Sequence, residues 1–396
     1  MRNFKITVTA ISVALLVAAC GGGGGSTVSS KAGITSVKVM GDSLSDSGTF
    51  NNAAGNSIGD DRIFSVQGPN SHNWVEDTAA DFGVTGLCNF YQFTGSFIAN
   101  PTPGCTNFAI GGSLINNPAS AGGTASPQSI ITQLVTAATV NTSYKASDLI
   151  LIDGGGNDAA ALVGAYLAAS TDGGASYAAL LSTVLSPSVV ATNLGAGASG
   201  LATAGGLYMT ALADNFYAAI KANTLDKGAT HVVVLNVPGI TNTPRFQMVL
   251  DGIATAYGGG TAGATARAQA EGLFKSWVVA FNTELAAKAA GNSSLVVVDG
   301  YTTFNDEIAH PAQYGLTNVT TPACPITGQD ASGLPTYTFH TCTATALSAQ
   351  TPPAGATGGA NWWTTYLFSD SFHPTPYGYQ LVSQLVARSL AQAGWL

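Results

Sequence analysis

The sequence predicts an α/β protein, built as a three-layer α/β/α sandwich around a mainly parallel central sheet. Short apolar runs alternate along the chain with longer segments of helical periodicity, which is typical of a parallel sheet that is covered on both faces. Hydrophobic residues make up 46% of the 396 residues and charged residues only 9%, so the chain has ample material for a core. Polar motifs follow several of the apolar runs, and ligands bind at the carboxyl ends of strands in such sheets.

The strands are predicted from short apolar runs that end at glycine, proline or aspartate. The clearest run covers residues 148–153, where four consecutive aliphatic residues precede an aspartate and three glycines. The predicted strands are, in order, residues 35–42, 106–110, 148–153, 231–237 and 295–298.

The helices are predicted from apolar side chains that recur at helical spacing. Residues 160–206 are rich in Ala, Gly and Ser and predict helices interrupted by loops, whereas residues 318–362 predict a long loop. The more regular predicted helices are residues 72–82, 128–138, 207–223, 264–290 and 375–396.

Residues 1–20 are interpreted as an export signal rather than as part of the fold. Their apolar stretch, residues 6–19, is too short to cross a bilayer and ends at Cys20. This pattern resembles the signal of a bacterial lipoprotein, in which Cys20 would carry the lipid anchor and hold the protein at the outer membrane. Simple secretion is the alternative. A Gly- and Ser-rich linker, residues 21–34, then leads to a single predicted domain, residues 35–396.

The charge pattern limits the partners of the protein. The formal net charge is −8, and the 13 Lys and Arg residues form no basic cluster beyond the N-terminus. Nucleic acid binding requires concentrated positive charge, so the sequence argues against it. No motif indicates a cofactor or a metal site, and the oligomeric state is left open.

Four cysteines remain after Cys20, an even number that suggests disulfide bonds in an exported chain. Proximity in the sequence favours the pairs Cys88–Cys105 and Cys324–Cys342. The other pairings stay open.

Ser43 is the predicted nucleophile of a hydrolytic site. It follows the first strand in the run Gly41-Asp42-Ser43-Leu44, at the expected junction with a helix. A serine hydroxyl becomes a good nucleophile only when a base takes its proton, and His373 is the candidate base. Asp370 precedes it by three residues, so on one helical turn both side chains would share a face. The carboxylate could then hold the imidazole tautomer.

Acyl transfer also needs donors for a developing oxyanion. The Ser43 N–H is one candidate. Gly111 could provide a second backbone donor because a glycine allows close approach, and Asn157 a third through its side-chain amide.

A second serine competes with Ser43 for the role of nucleophile. Ser57 lies in Gly55-Asn56-Ser57-Ile58-Gly59, which fits the Gly-x-Ser-x-Gly elbow of other hydrolases. That motif requires a strand before it and a helix after it, whereas its flanks here have the composition of a loop. The sequence therefore favours Ser43.

These blocks together resemble the SGNH, or GDSL, hydrolase family. The resemblance rests on four ordered segments: Gly41-Asp42-Ser43-Leu44-Ser45-Asp46, Asn107-Phe108-Ala109-Ile110-Gly111-Gly112, Gly154-Gly155-Gly156-Asn157-Asp158 and Asp370-Ser371-Phe372-His373-Pro374-Thr375. It implies an SGNH-hydrolase-like fold, with Ser43, Asp370 and His373 as catalytic residues and Gly111 and Asn157 as oxyanion donors.

The expected function is hydrolysis of carboxylic esters by an esterase, lipase, phospholipase or lysophospholipase acting through an acyl-enzyme. The substrate would be an ester or a lipid, and deacetylation of glycans is a weaker variant. The alternative is a catalytically silent surface lipoprotein that binds lipid or glycan on the same fold. Acyl chain length, head group and the choice between hydrolysis and acyl transfer are left open.

Overall fold

The computed structural model describes residues 32–51, 62–119 and 122–396. The predicted signal segment with Cys20 and the competing motif around Ser57 lie outside these residues. The strands are β1 Ser36–Met40, β2 Tyr91–Phe93, β3 Phe97–Ala99, β4 Asp148–Ile152, β5 Val232–Leu235, β6 Leu295–Val298, β7 Gly328–Gln329 and β8 Pro335–Thr336. The α-helices are α1 Trp74–Asp81, α2 Ile130–Asn141, α3 Gly156–Asp172, α4 Ala175–Leu181, α5 Pro187–Gly195, α6 Gly197–Asn223, α7 Pro244–Ala256, α8 Gly260–Ala289, α9 Gly300–Ala309, α10 Ala344–Ser348 and α11 Pro376–Gln392.

The central sheet is parallel and has the order β1-β4-β5-β6. Val39 of β1 lies opposite Leu151 of β4, which in turn pairs with Val233 of β5. All four strands coincide with predicted apolar runs. The predicted α/β class with a mainly parallel sheet is therefore confirmed.

Each face of the sheet is buried against helices because alternate strand residues point to opposite sides. Ile150 and Ile152 join the core on the face that carries α2, α6 and α8. Leu149 and Leu151 join a second core with residues of α1 and α11. All four side chains are fully buried, which explains why this strand has an unbroken apolar sequence.

The predicted strand 106–110 is only partly regular. It runs beside β1 through three backbone hydrogen bonds, with Val39 N–H donating to Thr106 O and Phe108 and Ile110 N–H donating to the β1 side. Asn107 is bridged to Val39 on one side and to Asn89 on the other, and its side-chain oxygen accepts the Ala109 N–H at 2.9 Å. The segment lies at the predicted position without forming a continuous strand.

Two helices near the site were not predicted from the periodicity, although both have sequence signals at their starts. The α7 helix begins at Thr243-Pro244, a capping residue followed by proline. The α9 helix is capped by the side chain of Asp299. Residues 160–206 form α3, α4, α5 and the first part of α6, in agreement with interrupted helices.

The predicted loop 318–362 contains short elements and one disulfide bond. Cys324–Cys342 closes it locally, and Cys88–Cys105 closes the β2–β3 region, so both bonds favoured by proximity are present. Within this loop, β7 pairs with β8 as a two-residue hairpin. Among the helices of the described residues, none has both the length and the apolar composition that a bilayer crossing requires.

Candidate active site

The turn after β1 presents Ser43 at the carboxyl edge of the sheet. The Ser45 and Asp46 N–H groups donate to Asp42 O at 3.2 and 3.0 Å, which makes a single tight turn. The predicted helix is absent here. Gly41 is required at the strand end because a Cβ there would lie 1.9 Å from an Asp153 side-chain oxygen. Ser43 is 4% exposed and lines the groove described below.

Ser43, His373 and Asp370 form one hydrogen-bonded chain. Ser43 Oγ lies 2.8 Å from His373 Nε2, and His373 Nδ1 lies 2.8 Å from Asp370 Oδ2. With the Nδ1 proton donated to Asp370, Nε2 is free to accept the proton of the Ser43 hydroxyl. The arrangement joins residues separated by 330 positions in the sequence.

Asp370 is held by a turn and not by the helical turn that its spacing to His373 suggested. Its Oδ1 accepts the Phe372 and His373 N–H groups at 2.7 and 2.5 Å, and α11 begins only after this turn. Burial by itself would raise the pKa of Asp370. The charge of His373 and these hydrogen bonds outweigh burial and hold that pKa below its usual value. The carboxylate is therefore ionised beside the imidazole.

The N–H of Gly111, the predicted oxyanion donor, is already bonded within the protein. Its N–H donates to Asp46 Oδ2 at 2.8 Å, and its position under the Phe64 ring leaves no room for a Cβ. The next residue, Gly112, lines the groove beside Ser43 and has φ +78°, a conformation that favours glycine. Within the described residues the Gly112 N–H has no hydrogen-bond acceptor. The available backbone donor is thus one residue further along than predicted.

Asp46 explains this shift by one residue. Its Oδ1 accepts the Gly48 and Thr49 N–H groups, each at 2.9 Å, and the Asn89 side-chain amide at 2.8 Å. Burial raises the pKa of Asp46 to about 6 against these hydrogen bonds, so the carboxylate is mostly ionised at neutral pH. It therefore holds the first turn and the Gly111 segment together. The spacing of the motif contained no signal for this bond.

Asn157 lies where the sequence predicted it, at the start of α3 after β4, and lines the groove with Ser43. One proton of its side-chain amide is donated to Ser113 O at 3.0 Å, which orients the amide. The second proton remains for a ligand. The Ser43 N–H also has no acceptor among the described residues. Ser43, Gly112 and Asn157 thus line one groove, and each has an N–H that is not bonded to another described residue.

Two buried carboxyl groups support the turn from behind. Asp42 and Asp153 lie at the ends of neighbouring strands, and burial raises the pKa of both, with that of Asp153 raised well above its usual value. Burial and the proximity of the two groups therefore make the pair harder to ionise than two exposed carboxyl groups. Asp153 also accepts the Ser45 hydroxyl. This contact fixes β1 to β4 directly below Ser43. Among the described residues, no cluster of His, Cys, Asp and Glu is arranged to hold a metal ion.

The groove above Ser43 has one polar end and one apolar end. Arg245, Asp330 and Tyr337 line the polar end together with Ser43, Asp370 and His373. The apolar end contains Phe50, Ile63 and Phe339, and the two ends meet at Phe64 and Gly112. Phe64 packs 5.3 Å from the His373 ring and Phe339 packs 5.8 Å from it, measured between centroids.

The walls of the groove come from unexpected parts of the chain. Residues between Cys324 and Cys342, which we call the disulfide loop, supply Asp330, Tyr337 and Phe339. From the Ala- and Gly-rich stretch 160–206, only Ala160 is among the described residues that line the polar end. The aromatic residues just before Asp370 are buried in core clusters and do not line the groove.

A separate interior cavity of about 80 Å³ lies behind the catalytic turns. Its lining is mostly apolar and includes Trp74, Leu385 and the carboxyl groups of Asp42 and Glu307. Phe372 lines both this cavity and the groove.

The chain belongs to the GDSL-like lipase/acylhydrolase family, whose family model matches residues 37–386. This match covers every block around the site. It implies esterase, lipase or acylhydrolase activity in general. A search of curated proteins found no match to this chain.

Proposed function

We propose that the protein hydrolyses carboxylic esters through an acyl-enzyme on Ser43. The observation that carries this proposal is the 2.8 Å contact between Ser43 Oγ and His373 Nε2, continued by the 2.8 Å contact from His373 to Asp370. These distances are within the range of hydrogen bonds between a nucleophile, its base and the group that orients the base.

In the first step Ser43 Oγ attacks the ester carbonyl carbon while His373 Nε2 takes the hydroxyl proton. The carbonyl oxygen becomes an oxyanion, which the Ser43 and Gly112 N–H groups and the Asn157 amide would stabilise. The C–O bond to the alcohol then breaks, and His373 returns the proton to the leaving alcohol. Water repeats the sequence on the acyl-enzyme and releases the carboxylic acid.

Substrates with a long apolar part suit the groove better than small polar esters. Its apolar end, with Phe50, Ile63 and Phe339, offers space for an acyl chain. We therefore place the natural substrate among lipid-like esters.

Replacing either candidate serine tests the assignment. We expect Ser43→Ala to lower kcat for p-nitrophenyl esters by about 10⁴-fold or more, because the nucleophile is lost. Ser57→Ala is the matched control and should retain activity. Retention of activity by Ser43→Ala, with loss in Ser57→Ala, would reject the proposal.

The rival function is a silent binding protein on the same fold. A fluorophosphonate probe separates the two, because it reacts only with an activated serine. Labelling at Ser43 that disappears in His373→Ala supports the esterase. A folded protein that neither labels nor hydrolyses any ester would favour the rival.

We further propose that Cys20 carries a lipid anchor that holds the enzyme at a membrane. The apolar stretch before Cys20 and the glycines after it support this assignment. The full chain should fractionate with membranes, whereas Cys20→Ser should not. Equal fractionation of the two proteins would argue against the anchor.

A further inference from the structure

Arg245 places a positive charge in the groove that contains Ser43. We infer that Arg245 binds a phosphate group on the alcohol part of the ester, so that the preferred substrate is an acyl ester of a phosphorylated alcohol. The inference rests on the proposed esterase function and adds a substrate class to it.

The side chain of Arg245 is not used by the protein itself. Six of the ten Lys and Arg residues that the structure describes form a salt bridge with a carboxylate, and Arg245 is among the four that do not. Arg62 binds Glu76, and Arg267 binds both Asp251 and Glu271. Arg245 is half-buried, and in the described part of the chain its guanidinium forms no salt bridge or hydrogen bond.

The backbone holds Arg245 against the catalytic turn. Arg245 is the second residue of α7, and its N–H donates to Ser371 O at 2.8 Å. The next residue, Phe246, stacks on Phe372 with 6.4 Å between ring centroids. The start of α7 is therefore fixed to the segment that bears Asp370 and His373. The N-terminal end of the helix adds a partial positive charge of the same sign.

Among the described residues, the other charged groups that line the groove form no ion pair with Arg245. Asp370 is paired with His373. Asp330 accepts the Ser332 and Leu334 N–H groups at 2.8 and 3.0 Å within its own turn. Among the described residues that line the polar end, Arg245 alone has a permanent positive charge.

The two ends of the groove suggest how an ester would lie. The acyl chain would occupy the apolar end at Phe50 and Phe339, and the alcohol part would extend towards Arg245. A guanidinium binds phosphate oxygens through two parallel N–H···O hydrogen bonds, which a lysine cannot reproduce. A carboxylate is the other anion that could use the same fork, so the experiment must separate the two.

The test compares three esters with the same octanoyl chain, each below its aggregation concentration. They are 1-octanoylglycerol, 1-octanoylglycerol 3-phosphate and the octanoyl ester of glyceric acid, which carries a carboxylate. We expect Arg245→Gln to lower the ratio of kcat/KM for the phosphate ester to that for the neutral ester by about 10- to 100-fold, mainly through KM. Arg245→Lys should lie between Arg245→Gln and the wild type. Added salt should lower the ratio in the wild type but not in Arg245→Gln.

Lys227→Gln is the matched control, since it removes one exposed positive charge outside the groove and should leave the ratio unchanged. An equal loss on both esters, or no change in the ratio, would overturn the inference. Dependence on Arg245 that is confined to the carboxylate ester would overturn the phosphate assignment. Wild-type protein that hydrolyses none of the three would instead count against the proposed function.

Discussion

Adjacent N–H groups at Gly111 and Gly112 have different roles because one carboxylate is nearby. Asp46 takes the Gly111 N–H, and the Gly112 N–H is left to face the groove. Both glycines are required for steric reasons, the first by the Phe64 ring and the second by its positive φ. In a motif with two adjacent glycines, the free N–H donor can therefore be assigned only when the acceptor of each N–H group is known from the tertiary structure.

Under the proposed function, Asn157 would be the one oxyanion donor that belongs to a side chain, so a mutation can remove it. We expect Asn157→Ala to lower kcat by about 10²–10³-fold with little change in KM, because the amide acts on the oxyanion and not on the bound ester. The melting temperature should change little, since a single hydrogen bond to Ser113 is lost. Steady-state kinetics on a p-nitrophenyl ester measure the effect.

Asn223→Ala is the matched control for this change. Its amide also donates to one backbone oxygen, Ala219 O at 2.8 Å, but it lies on α6 away from the groove. If the two variants lost the same fraction of kcat, Asn157 would not be an oxyanion donor.

At the scale of elements, two disulfide-closed segments of nearly equal length differ in their relation to the site. Cys88–Cys105 spans 17 positions and Cys324–Cys342 spans 18. The disulfide loop supplies Tyr337 and Phe339 to the groove, whereas none of the residues 88–105 is among the described groove residues. A comparison of the two disulfide bonds can therefore separate the effect of a disulfide on stability from its effect on substrate binding.

Removing each disulfide bond should produce this separation. Loop-closure entropy predicts a similar loss for both double Cys→Ser variants, on the order of 3 kcal/mol in the free energy of unfolding. We expect only Cys324→Ser/Cys342→Ser to raise KM, because it frees the wall of the groove. Chemical denaturation and ester kinetics at a temperature where both variants are folded give the two quantities. A rise of KM in the other variant alone would contradict the assignment of the wall.

For the whole molecule, the buried carboxyl groups couple stability to pH. Glu307 on α9 is 4% exposed and lines the interior cavity. Burial raises its pKa to about 7, although the charge of Arg388 acts in the opposite direction. In the unfolded chain the pKa of a glutamate is about 4.3, so between these values the folded protein binds more protons than the unfolded one.

This difference fixes the sign of the pH dependence. The stability that protonated Glu307 contributes is fully present below about pH 4.3 and is lost as the pH rises through about 7. We expect the melting temperature to fall between pH 5 and pH 8, and to fall less steeply in Glu307→Gln. Thermal unfolding of the wild type and of Glu307→Gln across this pH range measures the two slopes. The two curves should lie close at pH 5 and separate at pH 8, and a constant offset would contradict the argument.

Much of the architecture could be predicted because a strand that is buried on both faces has a continuous run of apolar residues in its sequence. Residues 148–153 are apolar throughout since both faces of β4 are covered, and the same logic located β1, β5 and β6. Residues 106–110 were less regular than predicted, because beyond the bridges at Asn107 the Ala109 N–H bonds to the Asn107 side chain and not to a neighbouring strand. The starts of α7 and α9 show that capping residues can locate helices that periodicity misses.

The sequence by itself determined the α/β class and named Ser43, His373, Asp370 and Asn157, because each residue type stands beside a recognisable strand end or turn. Only the tertiary structure decided which glycine faces the groove, that the disulfide loop forms its wall, and that Arg245 lies in it. The physical reason is that strand burial and turn geometry depend on neighbours in sequence. The hydrogen-bond partner of an N–H group or a guanidinium depends instead on residues that are distant in sequence and that folding brings close.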